Sequence, residues 1–338
     1  MNPQSRDFSL DAIKTMAIFL VIMIHMSAPG FVSFGAQWPA ATFCESISRA
    51  SVPLFFMVTG ATLLDKDNSI SSVLRRTRVV IIPLLAWSFI YIAYNTYYYH
   101  ESTHGWVRAV IQGPVRHLWY LYTLVGIYLF LPLISRFWQN ATNPEKLWIL
   151  AGWIIGASFM PVFRGLTNQV LIGIDMSYMP IYSGYLLLGA YLYHLAKSNT
   201  ALTGIFISFL AWAGGSALTL WLTFQKTVAD HRYTTIFLDY NSPTVILAAA
   251  GAFYFIVSIG KFYPKAIPNL IASSVGKRTL GIYLCHMILL DYTPRMVGWV
   301  GPMNSWAYYF LCTLLTLILS FIFVYLIQKV RYIRAICP

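Results

Sequence analysis

Residues 11–26 read DAIKTMAIFLVIMIHM, an apolar run with an acid and a base at one end and a histidine at the other. Extended to residues 8–26, at about 1.5 Å per residue, it comes close to the roughly 30 Å of a bilayer's hydrocarbon core. Asp11 and Lys14 open the run, and no small-residue cleavage pattern follows it, so it reads as a first membrane span rather than a cleaved signal.

Composition extends that reading to the whole chain. The 338 residues are 58% hydrophobic and only 10% charged, with a mean hydropathy of +0.63. Soluble domains carry roughly a quarter charged residues, so most of this surface needs lipid as its solvent. Apolar segments suggest ten spans, near 8–26, 46–64, 79–98, 118–135, 147–163, 179–196, 202–224, 244–260, 279–291 and 306–328. The expected fold class is all-α, a polytopic membrane helix bundle formed by a single domain over residues 1–338. With the N-terminus inside, fifteen of the 23 Lys and Arg residues fall in cytoplasmic segments and seven on the opposite side, Lys14 lying within a span. This two-to-one bias predicts an N-in, C-in topology. It also accounts for the formal net charge of +12 without nucleic acid, since the basic residues form no single soluble face.

Ionisable groups inside spans are costly and mark function by default. Lys14 and His25 are eleven residues apart, which at about 100° per residue puts them on one helix face, separated by about 16 Å. That face should look into the bundle or a cavity. Lys14 has a plainer reading, as a base snorkelling to the interface beside Asp11 at (i, i+3). His25 has one too, as a satisfied polar residue at the helix exit. Imidazole is nevertheless the side chain most easily tuned as a base near neutral pH.

Three further features carry chemistry. Arg75, Arg76 and Arg78 precede the third span, with Ser71 or Ser72 expected to cap its helix and Pro83 expected to kink it; guanidinium groups above a helix N-terminus suit phosphate. An ordinary cytoplasmic anchor is the bland reading. His117 opens HLWYL (117–121) and is expected at the outer membrane edge, in an aromatic belt with Trp119, Tyr120 and Tyr122. His286 lies deep in the ninth span, and Asp291 near its outer end could pair with a histidine from another helix. Cys44, Cys285, Cys312 and Cys337 are too dispersed to suggest a disulfide framework or a metal knuckle, and no metal site is expected. No P-loop, dinucleotide fingerprint, nucleophile elbow or H-E-x-x-H motif is present. The residues alone suit a phosphate-bearing donor that enters from the cytoplasm and reacts deeper in. They equally suit a carrier for an organic anion.

Taken in order, these stretches resemble the acyltransferase-3 family of bacterial integral-membrane O-acyltransferases. The marks are a basic residue followed after ten residues by histidine (Lys14, His25), VPLFFMVTG at 52–60, the R-x-x-R pair (Arg75, Arg78), HLWYL at 117–121 and LGIYLCH at 280–286. In length and lack of appendages the chain is most similar to inner-membrane members acting on lipid-linked surface polysaccharides. The resemblance implies acetyl-CoA as a donor substrate, no permanently bound cofactor, and a glycan acceptor carried on a lipid. It implies His25 as catalytic base or transient acyl acceptor, Lys14 at the family's basic position, and Arg75 and Arg78, with Arg76 beside them, as donor contacts. Asp11, His117, His286 and Asp291 are accessory candidates, and Asp291 or Tyr283 is a candidate partner for the base. The implied location is the bacterial inner membrane. Lys14 departs from the arginine usual at its position and loses bidentate geometry. The rival expectation is a secondary transporter using Lys14, His25 and His286 as a relay, although the inverted repeat common in transporters is not evident.

Overall fold

Asp7 explains where the first helix begins. Its carboxylate accepts a hydrogen bond from the Ser9 amide at 2.9 Å, so one of the unpaired N–H groups at the start of α1 (Phe8–Ser33) is satisfied. The same carboxylate takes Lys197 Nζ at 2.7 Å and the Tyr193 hydroxyl at 2.7 Å, fastening this end of α1 to a later helix. Burial pushes the Asp7 pKa up, but the bonds from Lys197, Ser9 and Tyr193 outweigh it and hold the carboxyl below its ordinary value.

The computed structural model describes residues 7–100, 105–113, 115–170, 181–198, 201–262, 267–301 and 303–338. Arg6, Lys265 and the first two positions of the predicted 179–196 span lie outside them. After α1 come α2 (Trp38–Ser48), α3 (Ser51–Leu63), α4 (Ile70–Tyr98), α5 (Trp106–Gln112), α6 (Trp119–Asn140), α7 (Asn143–Ile154) and α8 (Met160–Thr167). Then follow α9 (Ser183–Ser198), α10 (Leu202–Asp230), α11 (Pro243–Ile259), α12 (Ile267–Leu290), α13 (Thr293–Gly298) and α14 (Ser305–Lys329). A π turn over Ile155–Phe159 joins α7 to α8 into one continuous helix. The described residues contain no strand. The fold is an all-α bundle with seven described helices long and apolar enough to cross a membrane.

Two predicted spans take a different form. The 46–64 segment is shared between α2 and α3, which are interrupted at Arg49 and Ala50. Pro53 supplies the reason, because it has no N–H to give the carbonyl of Arg49 four residues earlier. The short 279–291 segment is the outer part of α12, whose 24 residues start well before it. Pro83, by contrast, lies inside an uninterrupted α4.

The bundle is arranged around α1. It packs against α2, α3, α11, α12 and α14, and it is apolar on every side, as a helix enclosed by other helices must be. Where helices cross most closely, glycine makes the space. A β-carbon at Gly60 of α3 would stand 1.9 Å from the Leu186 carbonyl oxygen, and one at Gly189 of α9 would stand 2.2 Å from the Met57 carbonyl oxygen. The two glycines thus admit each other's backbone, the small-residue contact that holds membrane helices together. Likewise, Gly276 lets α12 lie against the backbone of Asp11 on α1.

Gly189→Val should therefore destabilise the bundle by about 1–3 kcal/mol, the range for overpacked cores. Gly126→Val, at a site with open space around it, should cost less. Thermal unfolding of both purified variants in detergent checks this, and equal midpoints would contradict the proposed helix contact.

Candidate active site

Three histidines from distant parts of the chain meet inside the bundle. His25 is carried by α1, His286 by α12, and His117 by a single 3-10 turn (Arg116–Leu118) that leads into α6. Their ring centroids are 5.3 Å apart for His25–His286, 5.3 Å for His117–His286 and 6.2 Å for His25–His117. His117 is only 3% exposed, so it belongs to the interior and not to the outer aromatic belt expected of it. The reason is the turn: it ends the preceding loop and folds the side chain inward, where Tyr91 of α4 meets its ring edge-on at 4.8 Å. The Tyr283 hydroxyl donates to the His117 carbonyl, and the Tyr91 hydroxyl donates to the Leu284 carbonyl at 2.7 Å. These two bonds clamp the turn and α4 onto α12.

The hydrogen bonding of the cluster sets its chemistry. His286 Nδ1 lies 2.6 Å from the Tyr283 carbonyl oxygen, which can only accept, so Nδ1 carries a proton. In the neutral ring Nε2 is then the free lone pair, and it is buried without a protein partner. Both ring nitrogens of His117 are buried without a partner too. An unsatisfied buried polar atom costs about 1–3 kcal/mol, which a purely structural core would avoid by using apolar residues. His25 alone of the three is half-buried. Among the described residues, no group of three or more His, Cys, Asp or Glu side chains is arranged to hold a metal ion. The cluster is suited to moving protons.

At the other end of α1 lies a cavity of about 420 Å³, within the size range of small-molecule sites. Lys14, Arg76 and Lys277 give it three basic groups, and Leu121, Leu124 and Leu280 help to line an apolar interior. Lys14 also forms an ion pair with Asp11 at 2.7 Å, Asp11 being 2% exposed and Lys14 25%. The snorkelling pair and the cavity-facing base are therefore the same residue. The inner wall includes Tyr120 and Tyr283. Tyr283 also packs against His117 and His286, at 5.8 and 5.7 Å between centroids, and Tyr120 against Tyr283 at 5.6 Å. One pair of tyrosines thus separates the basic cavity from the histidines.

The three arginines divide between the cavity and the surface. Arg76 faces the cavity together with Val79 and Val80, as the (i, i+3, i+4) spacing of α4 dictates. Arg75 and Arg78 are exposed and are not on the cavity wall; Arg75 donates to Ser72 Oγ at 3.3 Å. Arg76 is fixed by the loop before α4, donating to Asn68 Oδ1 and to the Asp67 carbonyl, the latter at 2.9 Å. The helix cap is Ser69 instead of Ser71 or Ser72, and its side chain makes no cap bond. Asp67 organises the turn instead, taking Ser72 Oγ at 2.6 Å and the Ser69 amide at 3.0 Å.

Asp291 also departs from expectation, since its carboxylate takes the Tyr94 hydroxyl at 2.9 Å and not a histidine. Two residues that sequence reasoning passed over are Glu45 and Arg49, an ion pair on α2 and its C-terminal break whose carboxylate is buried and accepts from Ser27, two residues beyond His25. Their signal was visible as opposite charges at (i, i+4) beside an apolar segment. Lys277 was counted only as a loop charge.

A family model of the acyltransferase domain, acyltransferase-3, matches residues 7–325. The chain belongs to the acyltransferase-3 family. No curated protein and no solved structure matches it. Membership makes this bundle a membrane acyltransferase, and the match covers the basic cavity, the tyrosine pair and the histidine cluster alike.

The Asp67 carboxyl is held down to about 2 from its ordinary 3.8, first by the Ser72 hydroxyl, then by the Ser69 amide and hydroxyl, with the Arg76 charge helping. A depressed carboxylate adds stability above its ordinary pKa and loses it as pH falls through the depressed one. The turn that holds Arg76 should keep its amide-exchange protection from pH 7 to about 4 and lose it between about 4 and 2. Asp67→Ala should remove the protection at every pH; protection that persists in this variant would contradict the role of Asp67.

Proposed function

We propose that this protein is an O-acetyltransferase of the bacterial inner membrane that moves an acetyl group from cytoplasmic acetyl-CoA to a hydroxyl of a lipid-linked cell-surface polysaccharide. The observation that carries the reading is the shared wall: Tyr120 and Tyr283 both line the basic cavity and pack on each other, and Tyr283 also adjoins His117 and His286, whose imidazoles keep three buried nitrogens without a partner. A thioester donor needs such an arrangement, with cations for its phosphates, an apolar passage for its arm, and a base at the end.

On this reading the Lys14 end of the bundle is cytoplasmic, in keeping with the positive-inside bias. Arg76, Lys14 and Lys277 receive the phosphates of the donor, and Arg75 and Arg78 contribute field at the entrance. Neutral His25 takes the proton of the acceptor hydroxyl as the oxygen attacks the thioester carbonyl. His286 and His117 supply neighbouring lone pairs through which that proton can be shared. A glycan on a lipid carrier suits a site reached only within the membrane.

The test uses purified protein in liposomes with radiolabelled acetyl-CoA and an extract of lipid-linked glycans. Wild type should move label into the glycan fraction, and His25→Ala should lower the rate by roughly 10²–10⁴-fold, the usual size of general base catalysis. Undiminished labelling by His25→Ala would sink the assignment; accumulation of a labelled solute without transfer would favour a transporter. In the same assay Arg76→Ala should raise the apparent KM for acetyl-CoA more than Arg75→Ala does. The reverse order would return the donor site to the R-x-x-R pair.

A further inference from the structure

Glu45 and Arg49 form an ion pair where a membrane bundle has least use for one. Glu45 is 1% exposed, and its carboxylate takes Arg49 Nη2 one helical turn later. Burying both charges costs more than an apolar pair of the same volume would, so stability alone is a weak reason to keep them. The guanidinium is only partly used. Nε is buried without a partner, and the plane lies over the Tyr240 ring at 5.6 Å.

The pair is held beside the reacting end of α1. Ser27 Oγ, two residues beyond His25, donates to Glu45 Oε1 at 3.4 Å. Through that serine, Glu45 ties Arg49, the partner of its other carboxylate oxygen, to the turn of α1 that carries His25. Lys14 is about 16 Å away along α1. Arg49 also stands at the interruption between α2 and α3, where Pro53 leaves no amide to continue the helix across it.

The chemistry of transfer needs a cation here. The acceptor O–H gives its proton to His25 while its oxygen bonds to the thioester carbonyl carbon. The C=O pair moves onto the carbonyl oxygen, making an oxyanion. When the pair returns, the C–S bond breaks and the CoA thiolate leaves with the proton from His25. His25 becomes cationic only as the oxyanion forms, so the three neutral imidazoles hold no positive charge in place ahead of the attack. We propose that Arg49, held by Glu45, is the group that stabilises the oxyanion formed beside His25. Glu45 keeps the pair neutral overall, so that Arg49 does not oppose the imidazolium that forms with the oxyanion. The proposal rests on the acyl-transfer reading above.

Kinetics of the reconstituted protein with acetyl-CoA and the glycan extract test it, using Arg49→Gln, Arg49→Lys, Glu45→Gln and His25→Ala together. Arg49→Gln should lower kcat by about 10²–10³-fold, the effect of removing one oxyanion donor, and leave the apparent KM for acetyl-CoA little changed. Added guanidinium ion should restore part of that rate. Arg49→Lys should fold like wild type and keep more of the rate than Arg49→Gln, and Glu45→Gln should fall between them. Unchanged kcat in Arg49→Gln would overturn the proposal. So would a loss shared by Arg49→Lys that tracks a lowered unfolding midpoint and resists guanidinium, the mark of a structural ion pair. Failure of the acyl-transfer reading is seen separately, as wild type leaving the glycan fraction unlabelled.

Discussion

Inside a bilayer, water is not available to satisfy polar groups, so every polar side chain in the bundle must find a partner in the protein or remain unsatisfied at a cost. This constraint explains most of what surrounds α1. Asp7 is used three times, by Ser9, Tyr193 and Lys197. Asp11 takes Lys14, Ser27 turns back to the Met23 carbonyl, and Thr316 shares a bond with Thr293. Against this local satisfaction, both nitrogens of His117 and Nε2 of His286 are left bare within a single cluster. They are affordable only because the helices around them are fixed by other means.

Those means are mostly backbone contacts. Gly60 and Gly189 bring α3 and α9 together, and Gly276 brings α12 onto α1. Since lipid gives no hydrophobic reward for packing one apolar helix on another, close approach and its dispersion energy must supply the cohesion. Rigid crossings then hold the three imidazole rings with centroids 5.3 to 6.2 Å apart. The clamp from Tyr283 to the His117 carbonyl and from Tyr91 to the Leu284 carbonyl completes the frame, using main-chain acceptors and leaving both His117 ring nitrogens without a partner.

The sequence revealed these elements unevenly, for physical reasons. Lys14 and His25 were legible because ionisable residues in an apolar run have few innocent explanations, and helical phase puts them on one face. His117 was misplaced because an aromatic-rich helix start looks the same whether it borders lipid headgroups or a buried turn. The 3-10 geometry that turns it inward depends on Tyr91 and Tyr283, nearly two hundred positions apart in the chain. Arg76 was overshadowed by Arg75 and Arg78 because motif spacing says nothing about which face meets the bundle; Val79 and Val80 fix that phase. Glu45 and Arg49 fell at the soft edge of a predicted span, and the break imposed by Pro53 was not read. A bond such as Tyr94 to Asp291 joins segments with no local sign of their pairing.

The tyrosine pair between the two chambers follows from the same constraint. On the proposed function the donor is an activated thioester, and a continuous water path from the basic cavity to the imidazoles would let the base activate water in place of a sugar hydroxyl. Tyr120 and Tyr283 fill that path with two rings in contact, both of them buried. Their bulk excludes water, which also strengthens every electrostatic interaction beyond them. Because the Tyr283 hydroxyl is already engaged with the His117 carbonyl, moving this ring to admit a donor would also disturb the turn that carries a histidine. On the proposed function, entry of the acyl group and the arrangement of the cluster are thereby tied to one side chain.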